Sequence, residues 1–340
     1  MRAWGSLPGD DPARDRTEMQ AAIDGAGIDL HPASPGDHPH PHQHSLPGAP
    51  PVIGIVGAGA VGTALGVALS RAGWPIHAVA SRDATRRERF RSLVEVNRAF
   101  VDPEPLVEEV ELIILAVPDD VIAPLARGLR MYGGQAMIHT SGALGAEVLS
   151  PAMAAGTQIG SFHPLVAFAD TERAVASLRG ATISIEADDQ LAAMLASMAE
   201  ALGATPVRLA SGSKAAYHAA AVLAAGGFIA LLDAIAELGK VAGLDEAGAL
   251  AIYGPLIEGT LGNARELGIR AALTGPITRG DLGTLRAHLT ALQAHAPDVL
   301  DLYVAAGRRE IELARGRGAL APETALALHE ALRKALAPRD

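Results

Sequence analysis

The sequence predicts an α/β protein in which a doubly wound parallel sheet is followed by an all-helical domain. Three observations support this fold class. Between residues 52 and 210, short apolar runs alternate with stretches of helical apolar spacing, which is typical of parallel strands joined by helices. A glycine-rich turn directly follows the first apolar run. From residue 211 to about 337, amphipathic helical spacing continues and no strand-like run appears, so we place one domain at 52–210 and another at 211–337.

Composition and charge exclude several classes of protein. The chain has 340 residues, which suits two domains, and 38 carboxylates against 28 basic residues give a net charge of −10. A protein that binds nucleic acid through bulk charge needs a basic face, so we expect no such partner. The absence of cysteine excludes disulfides, thiolate metal sites and cysteine nucleophiles, and we predict no metal site. The lysines are Lys214, Lys240 and Lys334 alone, so a lysine in a motif is informative.

The alternation assigns most residues of the first domain to strands and helices. The run 111–117 is apolar after Glu111, as expected for a strand covered on both faces, and Pro118 ends it. The predicted strands are 52–56, 76–80, 111–117, 135–139, 158–162, 181–185 and 206–208, and the predicted helices are 60–71, 82–90, 119–130 and 189–202. In the second domain, the predicted helices are 213–241, 245–267, 280–296, 297–315 and 322–337.

Residues 1–51 differ from the rest of the chain. They contain nine of the 22 prolines and five of the 12 histidines, and they lack apolar periodicity. Such a segment cannot bury a core, so we predict a disordered leader or a start codon assigned too early. A metal-scavenging tail is the alternative, although prolines between the histidines oppose a compact ligand cage. The N-terminus has no apolar signal-peptide core, and together with the lack of cysteine this favours the cytoplasm.

The longest uncharged run, 215–232, predicts a buried helix. It is too short and too rich in alanine for a membrane span, which needs about 20 strongly apolar residues, so we expect no membrane partner. The small residues at 224–227 permit close approach of another helix. We predict that this helix is buried between the subunits of a homodimer, and burial within a single subunit is the alternative.

A glycine pattern, G-x-G-x-x-G, follows the first strand. It opens a helix and precedes a second strand, which is the arrangement of a Rossmann dinucleotide-binding domain. Gly57 permits the tight turn, Gly59 lets the backbone approach the pyrophosphate, and Gly62 lets the helix pack on the strand. The N–H groups at the start of the helix would bind the phosphates; a glycine turn without a ligand is the alternative. The residues assigned to the cofactor in this pattern are Gly57, Ala58, Gly59, Ala60, Val61 and Gly62.

The end of the second strand favours NADP over NAD. A carboxylate there would accept a hydrogen bond from the ribose 2′-hydroxyl of NAD. This chain instead has Ser81 and Arg82, with Arg86 and Arg87 one turn further on. Guanidinium groups bind phosphate oxygens through paired donors, which suits a 2′-phosphate. The alternative is a solvated charge run, and the nearby Asp83 is interpreted as a helix cap.

Two further strand ends contribute to the predicted site. The segment after the strand 111–117 lies at the edge where ligands bind in such folds, whereas Asp119 or Asp120 is interpreted as a helix cap rather than an acid catalyst. Thr140 and Ser141 follow the next strand and are candidates for contacting substrate or nicotinamide; a capping role for Ser141 is the alternative. The residues assigned to the cofactor here are Ala116, Val117 and Pro118.

Lys214 and His163 are the candidate proton donors. Hydride transfer to a carbonyl or imine needs such a donor, because negative charge develops on the oxygen or nitrogen. Lys214 starts the first helix of the second domain, and His163 follows a strand. His218 lies four residues after Lys214 on the same helix face, and repulsion between the two favours a neutral histidine. The alternatives are a surface lysine, a packing or capping histidine at 163 and a core histidine at 218.

Arg279 is the candidate for binding a substrate carboxylate. It lies in the polar loop 274–281 between two predicted helices, and a guanidinium can hold a carboxylate through two bonds. The alternative is an interhelical turn with a surface arginine.

From Val52 to about Ala337, the chain resembles the Rossmann-like proteins that carry the domain of unknown function 2520. That family is related to pyrroline-5-carboxylate reductase, prephenate dehydrogenase and the β-hydroxyacid dehydrogenases. The resemblance implies a nicotinamide cofactor and a helical domain similar to the C-terminal domain of 6-phosphogluconate dehydrogenase. The segments that carry it are 53–66, 116–119, 140–142, 161–165, 214–218 and 274–281.

Three of these segments imply roles in the site. Residues 211–214 resemble the motif that places the catalytic lysine of β-hydroxyacid dehydrogenases, although His218 stands where that motif has asparagine. Residues 161–164 resemble the Gly-x-His-Pro segment of prephenate dehydrogenases, which implies an acid/base role for His163, but the Gly-Ala-Gly that follows there is missing. Residues 274–281 lie about where pyrroline-5-carboxylate reductases place a substrate loop, without its Ser-Pro-Gly-Gly-Thr signature.

We therefore expect an NADP(H)-dependent oxidoreductase that acts on a small oxo- or imino-acid as a homodimer. The family is associated with pantothenate genes in some bacteria, which suggests a ketopantoate-like 2-oxo acid. A non-catalytic NADP-binding sensor or partner protein is the alternative. Convergence of Lys214 and His163 in the fold would favour the enzyme, because a sensor has no need of paired proton donors.

Overall fold

The computed structural model describes residues 49–96 and 98–337. Within them the chain divides into two compact units, with the division between Ala221 and Val222. The sequence placed this division at residue 211, before the helix rather than within it. The predicted leader, 1–51, lies outside the described residues except for its last three, of which Pro51 is buried.

One sheet forms the centre of the first unit. Its strands are β1 Ile53–Val56, β2 Ile76–Ala80, β3 Arg98–Phe100, β4 Leu112–Leu115, β5 Ala136–His139, β6 Gln158–Pro164, β7 Thr182–Ala187 and β8 Thr205–Arg208. They lie in the order β3-β2-β1-β4-β5-β6-β7-β8. The first six positions have the strand order of Rossmann dinucleotide-binding folds, so the predicted fold class is confirmed.

The sheet differs from the expected all-parallel arrangement at one edge. β6 pairs antiparallel with β7, with His163 opposite Ser184, whereas the other neighbouring strands of the described chain pair in parallel. The chain turns back after β6 instead of crossing over, so β7 and β8 run opposite to the rest. β3 was not predicted, because its three residues, 98–100, are exposed or half-buried and form no apolar run.

Helices cover both faces of the sheet. Those of the first unit are α1 Ala60–Arg71, α2 Ala84–Val94, α3 Glu104–Val107, α4 Asp119–Gly128, α5 Thr171–Leu178, α6 Asp189–Ala201 and α7 Lys214–Val222, with a 3₁₀ helix at Ala146–Ala155. Leu65 of α1 and Phe162 of β6 belong to the core on one face. Ile122 of α4 and Met137 of β5 belong to the core on the other. The strands are therefore buried from both sides, as their apolar runs predicted.

The second unit consists of helices and their connections, and its described residues contain no strand. Its elements are a π-helical turn at Leu223–Gly227, α8 Phe228–Val241, α9 Glu246–Leu267, α10 Ile269–Ala272, α11 Leu282–His295, α12 Leu300–Gly316 and α13 Pro322–Ala335, with 3₁₀ turns at Ile277–Arg279 and Pro297–Val299. Leu285, Ile311 and Leu328, from α11, α12 and α13, form its core. The helix predicted over 213–241 is present as a continuous helical stretch, 214–241, which contains the π-helical turn, a feature that sequence periodicity does not reveal.

Large apolar side chains are exposed on α8, α9 and the π-helical turn. Leu223 is 72% exposed, Ile229 64% and Leu256 67%. Only 11% of the most apolar part of the helical stretch 214–241 is buried in the described structure, and its predicted burial between the subunits of a homodimer stays a prediction. In the described part of the chain, this stretch alone is long and apolar enough to cross a membrane. A single such helix is weak evidence for a membrane span, because the core helix of a soluble protein can have the same length and composition. A cytoplasmic location stays a prediction from the sequence.

Candidate functional site

The glycine-rich turn has the close contacts that its pattern predicts. Gly57 has a φ of 109°, and a Cβ there would lie 2.2 Å from the carbonyl oxygen of Ala116. A Cβ on Gly62 would lie 2.0 Å from the carbonyl oxygen of Gly57, so glycine lets α1 close on the turn. Gly59 precedes α1 without a side-chain cap, and the space where its Cβ would be is open. The first N–H groups of α1 are thus available to an anion.

A cavity of about 590 Å³ lies beside this turn, at the carboxyl edge of the sheet. The segment 101–103, after the unpredicted β3, also lines it and was missed from the sequence. Ala60, Val61 and Gly62 form the first turn of α1. The other residues assigned to the cofactor all line the cavity: Gly57, Ala58, Gly59, Ser81, Arg82, Arg86, Ala116, Val117 and Pro118.

The arginines after β2 differ in their contacts within the protein. Arg87 donates to the carbonyl oxygen of Ser81, and the Arg86 guanidinium lies 3.4 Å from the carboxylate of Asp83. Asp83 caps α2 by accepting a 3.0 Å hydrogen bond from the N–H of Arg86, as predicted. The exposed Arg82 has no ion-pair partner among the described residues. Arg82 is therefore the guanidinium most available to an anion in this cavity.

Lys214, the first residue of α7, is buried with only 2% of its surface exposed. Its Nζ donates a 2.9 Å hydrogen bond to the carbonyl oxygen of Ser141, in the loop after β5. Burial lowers the pKa of Lys214 to about 8, while the charges of Glu186, Asp119 and Glu147 oppose this shift. The structure thus contradicts the alternative of a surface lysine, and a lysine this buried is unusual unless it is paired.

His163 and His218 meet at Gly142. Their ring centroids lie 5.6 Å apart with an interplanar angle of 80°. A Cβ on residue 142 would lie 2.2 Å from Nδ1 of His218 and 2.7 Å from Nε2 of His163, so only glycine permits this approach. Burial, with a further contribution from the charge of Lys214, lowers the pKa of His163 to about 4. The imidazole of His163 is therefore neutral near pH 7.

Several buried polar atoms in the same region have no hydrogen-bond partner within the described ranges. His163 pairs with Ser184 and Ser161 with Glu186 across β6 and β7, so these four side chains share one face of the sheet. Folded proteins satisfy nearly all buried polar groups, so these atoms are available to hydrogen-bond a water molecule or a polar ligand. The unpartnered atoms are Ser161 Oγ, Ser184 Oγ, His163 Nδ1, His218 Nδ1 and the Tyr217 hydroxyl oxygen.

The hydroxyls of Thr140 and Ser141, in the loop after β5, form hydrogen bonds with nearby backbone groups. Thr140 donates to the carbonyl oxygen of Leu115, and Ser141 Oγ accepts from the N–H groups of Ala143 and Leu144 at 3.1 and 3.0 Å. Ser141 thus holds N–H groups of its own loop rather than the end of a helix, and its hydroxyl hydrogen can still be donated to a ligand. The helix cap predicted at Asp119 or Asp120 is not observed, because both residues lie inside the first turn of α4 and the residue before it is Pro118, which has no capping side chain.

Arg279 lies in the second unit. It ends a 3₁₀ turn, its side chain is exposed, and Asp281 two residues later caps α11. The polar loop predicted between two helices is therefore present. The binding of a substrate carboxylate by Arg279 stays a prediction.

Three residues near Lys214 were missed from the sequence. Glu186 is the one charged residue of β7, and a carboxylate in an otherwise uncharged strand is a usable signal. Tyr217 lies three residues after Lys214 on α7, and its ring contacts His163 edge-on at 6.0 Å between centroids. His139 ends β5 and is completely buried. A histidine that ends a buried strand could equally have been a core residue, so its sequence context gave no decisive signal.

The two parts of the chain match two family models. Residues 40–164 match the Rossmann-like domain, and residues 181–310 match the domain of unknown function 2520, DUF2520. The chain thus carries a Rossmann-like domain followed by a DUF2520 domain. This confirms the resemblance, whereas the likeness of the helical domain to that of 6-phosphogluconate dehydrogenase stays a prediction. None of the curated proteins compared with the DUF2520 protein matches it.

Solved structures of similar proteins cover most of the DUF2520 protein. BF3122 from Bacteroides fragilis, provisionally described as an NADP oxidoreductase, is 27% identical over 77% of this chain and 98% of its own, with a TM-score of 0.64. Protein TM1727 from Thermotoga maritima is 24% identical over 78% and 99%, with a TM-score of 0.61. A 1-pyrroline-5-carboxylate reductase from Streptococcus pyogenes, 16% identical over 84% and 98%, has a TM-score of 0.53. The last two show similarity of fold alone.

Proposed function

We propose that the DUF2520 protein is an NADP(H)-dependent oxidoreductase that transfers hydride to or from a small oxo- or imino-acid. The observation that carries the proposal is the buried amine of Lys214 beside two histidines at the carboxyl edge of a dinucleotide-binding sheet. His139 pairs with Leu115, so the loop that binds Lys214 and the segment 116–118 of the cavity leave adjacent strands. The likeness to BF3122 supports the same class of activity.

The cavity residues fit an NADP cofactor. The uncapped start of α1 and the open backbone at Gly59 suit the pyrophosphate, and Ser81, Arg82 and Arg86 suit the 2′-phosphate. The segment 116–118 would hold the nicotinamide half at the edge of the sheet. When bound, the nicotinamide supplies or accepts the hydride.

Lys214 is the proposed principal proton donor. Its ammonium can hydrogen-bond the carbonyl oxygen or imine nitrogen of a substrate and stabilise the charge that hydride addition creates. The neutral His163, with an unpartnered Nδ1, is proposed to assist by accepting or passing on a proton. His218, Ser141 and Thr140 complete the proposed surroundings of the substrate.

The proposal is tested by following NADPH absorbance with a panel of small 2-oxo acids, including ketopantoate, and cyclic imino acids. Turnover of at least one member, lost in Lys214→Met, is the expected result. If the protein binds NADPH tightly but turns over no member of the panel in either direction, the non-catalytic sensor or partner becomes the better account. The reverse reaction is assayed with the matching hydroxy or amino acids and NADP.

Arg82→Ala is expected to remove most of a preference for NADPH over NADH. A charge-assisted hydrogen bond contributes about 1.5–3 kcal/mol, which corresponds to about ten- to a hundredfold in affinity. Titration calorimetry with both cofactors measures the change. Arg173→Ala, which replaces another exposed arginine of the first unit, is the matched control and should leave the preference intact. Equal affinity of the wild-type protein for both cofactors would contradict the NADP assignment.

We further propose that the exposed apolar side chains of α8, α9 and the π-helical turn are buried against a second copy of the chain. Leu223→Glu is expected to give monomers or aggregates, because an unpaired charge buried in an interface is costly. Light scattering after size-exclusion chromatography measures the mass. Leu326→Glu, at a leucine of α13 that is 69% exposed, is the control. A wild-type monomer at micromolar concentration refutes this proposal.

A further inference from the structure

We propose that His139 is a positioning residue, which holds the loop 140–145 so that the carbonyl oxygen of Ser141 meets the amine of Lys214. Both ring nitrogens of His139 bind this loop. The N–H of Ser141 donates to Nδ1 at 3.2 Å, and Nε2 lies 3.1 Å from the carbonyl oxygen of Gly145. The ring thus connects the two ends of the loop from its buried side. The inference rests on the role proposed for Lys214.

The two contacts define the protonation state of the His139 ring. A backbone N–H can only donate, so Nδ1 must be without hydrogen, and a carbonyl oxygen can only accept, so Nε2 must carry the hydrogen. The ring is therefore a neutral Nε2–H tautomer. A doubly protonated ring would place its Nδ1 hydrogen against the N–H of Ser141 and break the contact.

The groups that face His139 favour the same neutral state. Burial lowers the pKa of His139 to about 4, and the charge of Lys214 lowers it further, whereas the Gly145 carbonyl and the carboxylates Asp119 and Glu147 oppose this shift. A neutral tether can lie close to the Lys214 ammonium without repelling it. A cationic side chain in this place would repel the Lys214 ammonium.

The loop needs such a tether, because it contains Gly142 and Gly145 and directs a backbone oxygen at a buried amine. Ser141 Oγ organises the middle of the loop by accepting from two N–H groups. His139 connects the start of the loop, at Ser141, to its end, at Gly145. Lys214 Nζ then finds its 2.9 Å acceptor at a fixed position.

The test measures the pKa of the Lys214 amine directly by NMR and needs no substrate. Biosynthetic labelling with lysine carrying ¹³C at Cε gives signals for Lys214, Lys240 and Lys334 alone, and Lys240→Arg and Lys334→Arg assign them. In the cofactor-free wild-type protein, Lys214 should titrate near pH 8. In His139→Leu the loop loses its tether and water reaches the amine, so this pKa should rise by about one unit or more. His139→Asn, which can still accept from the Ser141 N–H, should give a smaller rise.

His77→Leu is the matched control, since His77 is an exposed histidine of β2 that contacts Glu109, and it should leave the Lys214 signal unchanged. An unchanged Lys214 titration in a folded His139→Leu variant overturns the proposal. If that variant does not fold, ¹⁵N-histidine spectra of the wild-type protein decide, because a protonated ring or an Nδ1–H tautomer at pH 7 also overturns it. If the His139 variants shift the Lys214 pKa as expected but the wild-type protein oxidises no NADPH with any substrate of the panel, the result counts against the proposed function and not against this inference.

Discussion

Lys214→Met is expected to bind NADPH as tightly as the wild-type protein and to turn over substrate at least about a hundredfold more slowly. Methionine keeps the length of the side chain but cannot donate a proton, and loss of one well-placed acid costs about 10²–10⁴-fold in rate. Calorimetry measures cofactor binding, and steady-state kinetics with a substrate from the oxo- and imino-acid panel measures kcat. Lys240→Met, at an exposed lysine paired with Glu237, is the control and should retain full activity. A Lys214→Met enzyme with wild-type kcat would exclude the proposed role.

The same mechanism gives kcat/KM for reduction a defined pH dependence. Burial lowers the pKa of Lys214 to about 8, so the amine carries its proton below that pH and loses it above. The rate of reduction should therefore be highest below pH 8 and fall as the pH rises through it. A profile that stays flat between pH 7 and 10 would show that another group donates the proton.

Gly142→Ala is expected to disrupt the site and to lower the free energy of unfolding by about 1–3 kcal/mol, the usual cost of overpacking. The new methyl group would lie 2.2 Å from His218 Nδ1 and 2.7 Å from His163 Nε2, so both imidazoles must move. The backbone of Gly142 is not in the left-handed region, so the effect is steric. Urea denaturation measures the stability, and turnover should fall with it.

Gly128→Ala is the matched control for Gly142→Ala. Gly128 ends α4 in the same unit, and a Cβ there meets no atom within 4 Å. This variant should be as stable as the wild-type protein or slightly more stable, because alanine favours a helix over glycine. Equal stability of both alanine variants and unchanged turnover would mean that the histidines are not held against Gly142.

The parts of the fold that sequence reasoning predicted are those encoded locally. The glycine turn needs only neighbouring residues, and the apolar runs of β1, β4 and β5 are buried on both faces, so their sequence alone indicates a strand. Lys214 could be singled out because lysine is so rare in this chain. β3 was missed because it is too short and too exposed to leave a pattern.

The detailed geometry of the site could not be read in the same way. Gly142, His163 and His218 are far apart in sequence, and they meet only because β5 pairs with β6 and α7 packs against His163. The antiparallel direction of β7 places Ser184 and Glu186 beside them, and strand direction is a property of the whole sheet. The tethering contacts of His139 depend on the path of a loop, which residue types alone do not specify.

The polar face of β6 and β7, formed by Ser161, His163, Ser184 and Glu186, lowers the stability of the fold. Ser161 and Ser184 are completely buried, yet their hydroxyls have no partner in the described chain, and apolar side chains of similar size would be more favourable there. A sequence selected for folding alone would have no reason to keep them. These positions are thus a point of local frustration, of the kind that proteins retain where binding or chemistry requires it. Redesign of this core for thermal stability would replace Ser161 and Ser184 first, and would thereby alter the surroundings of the proposed site.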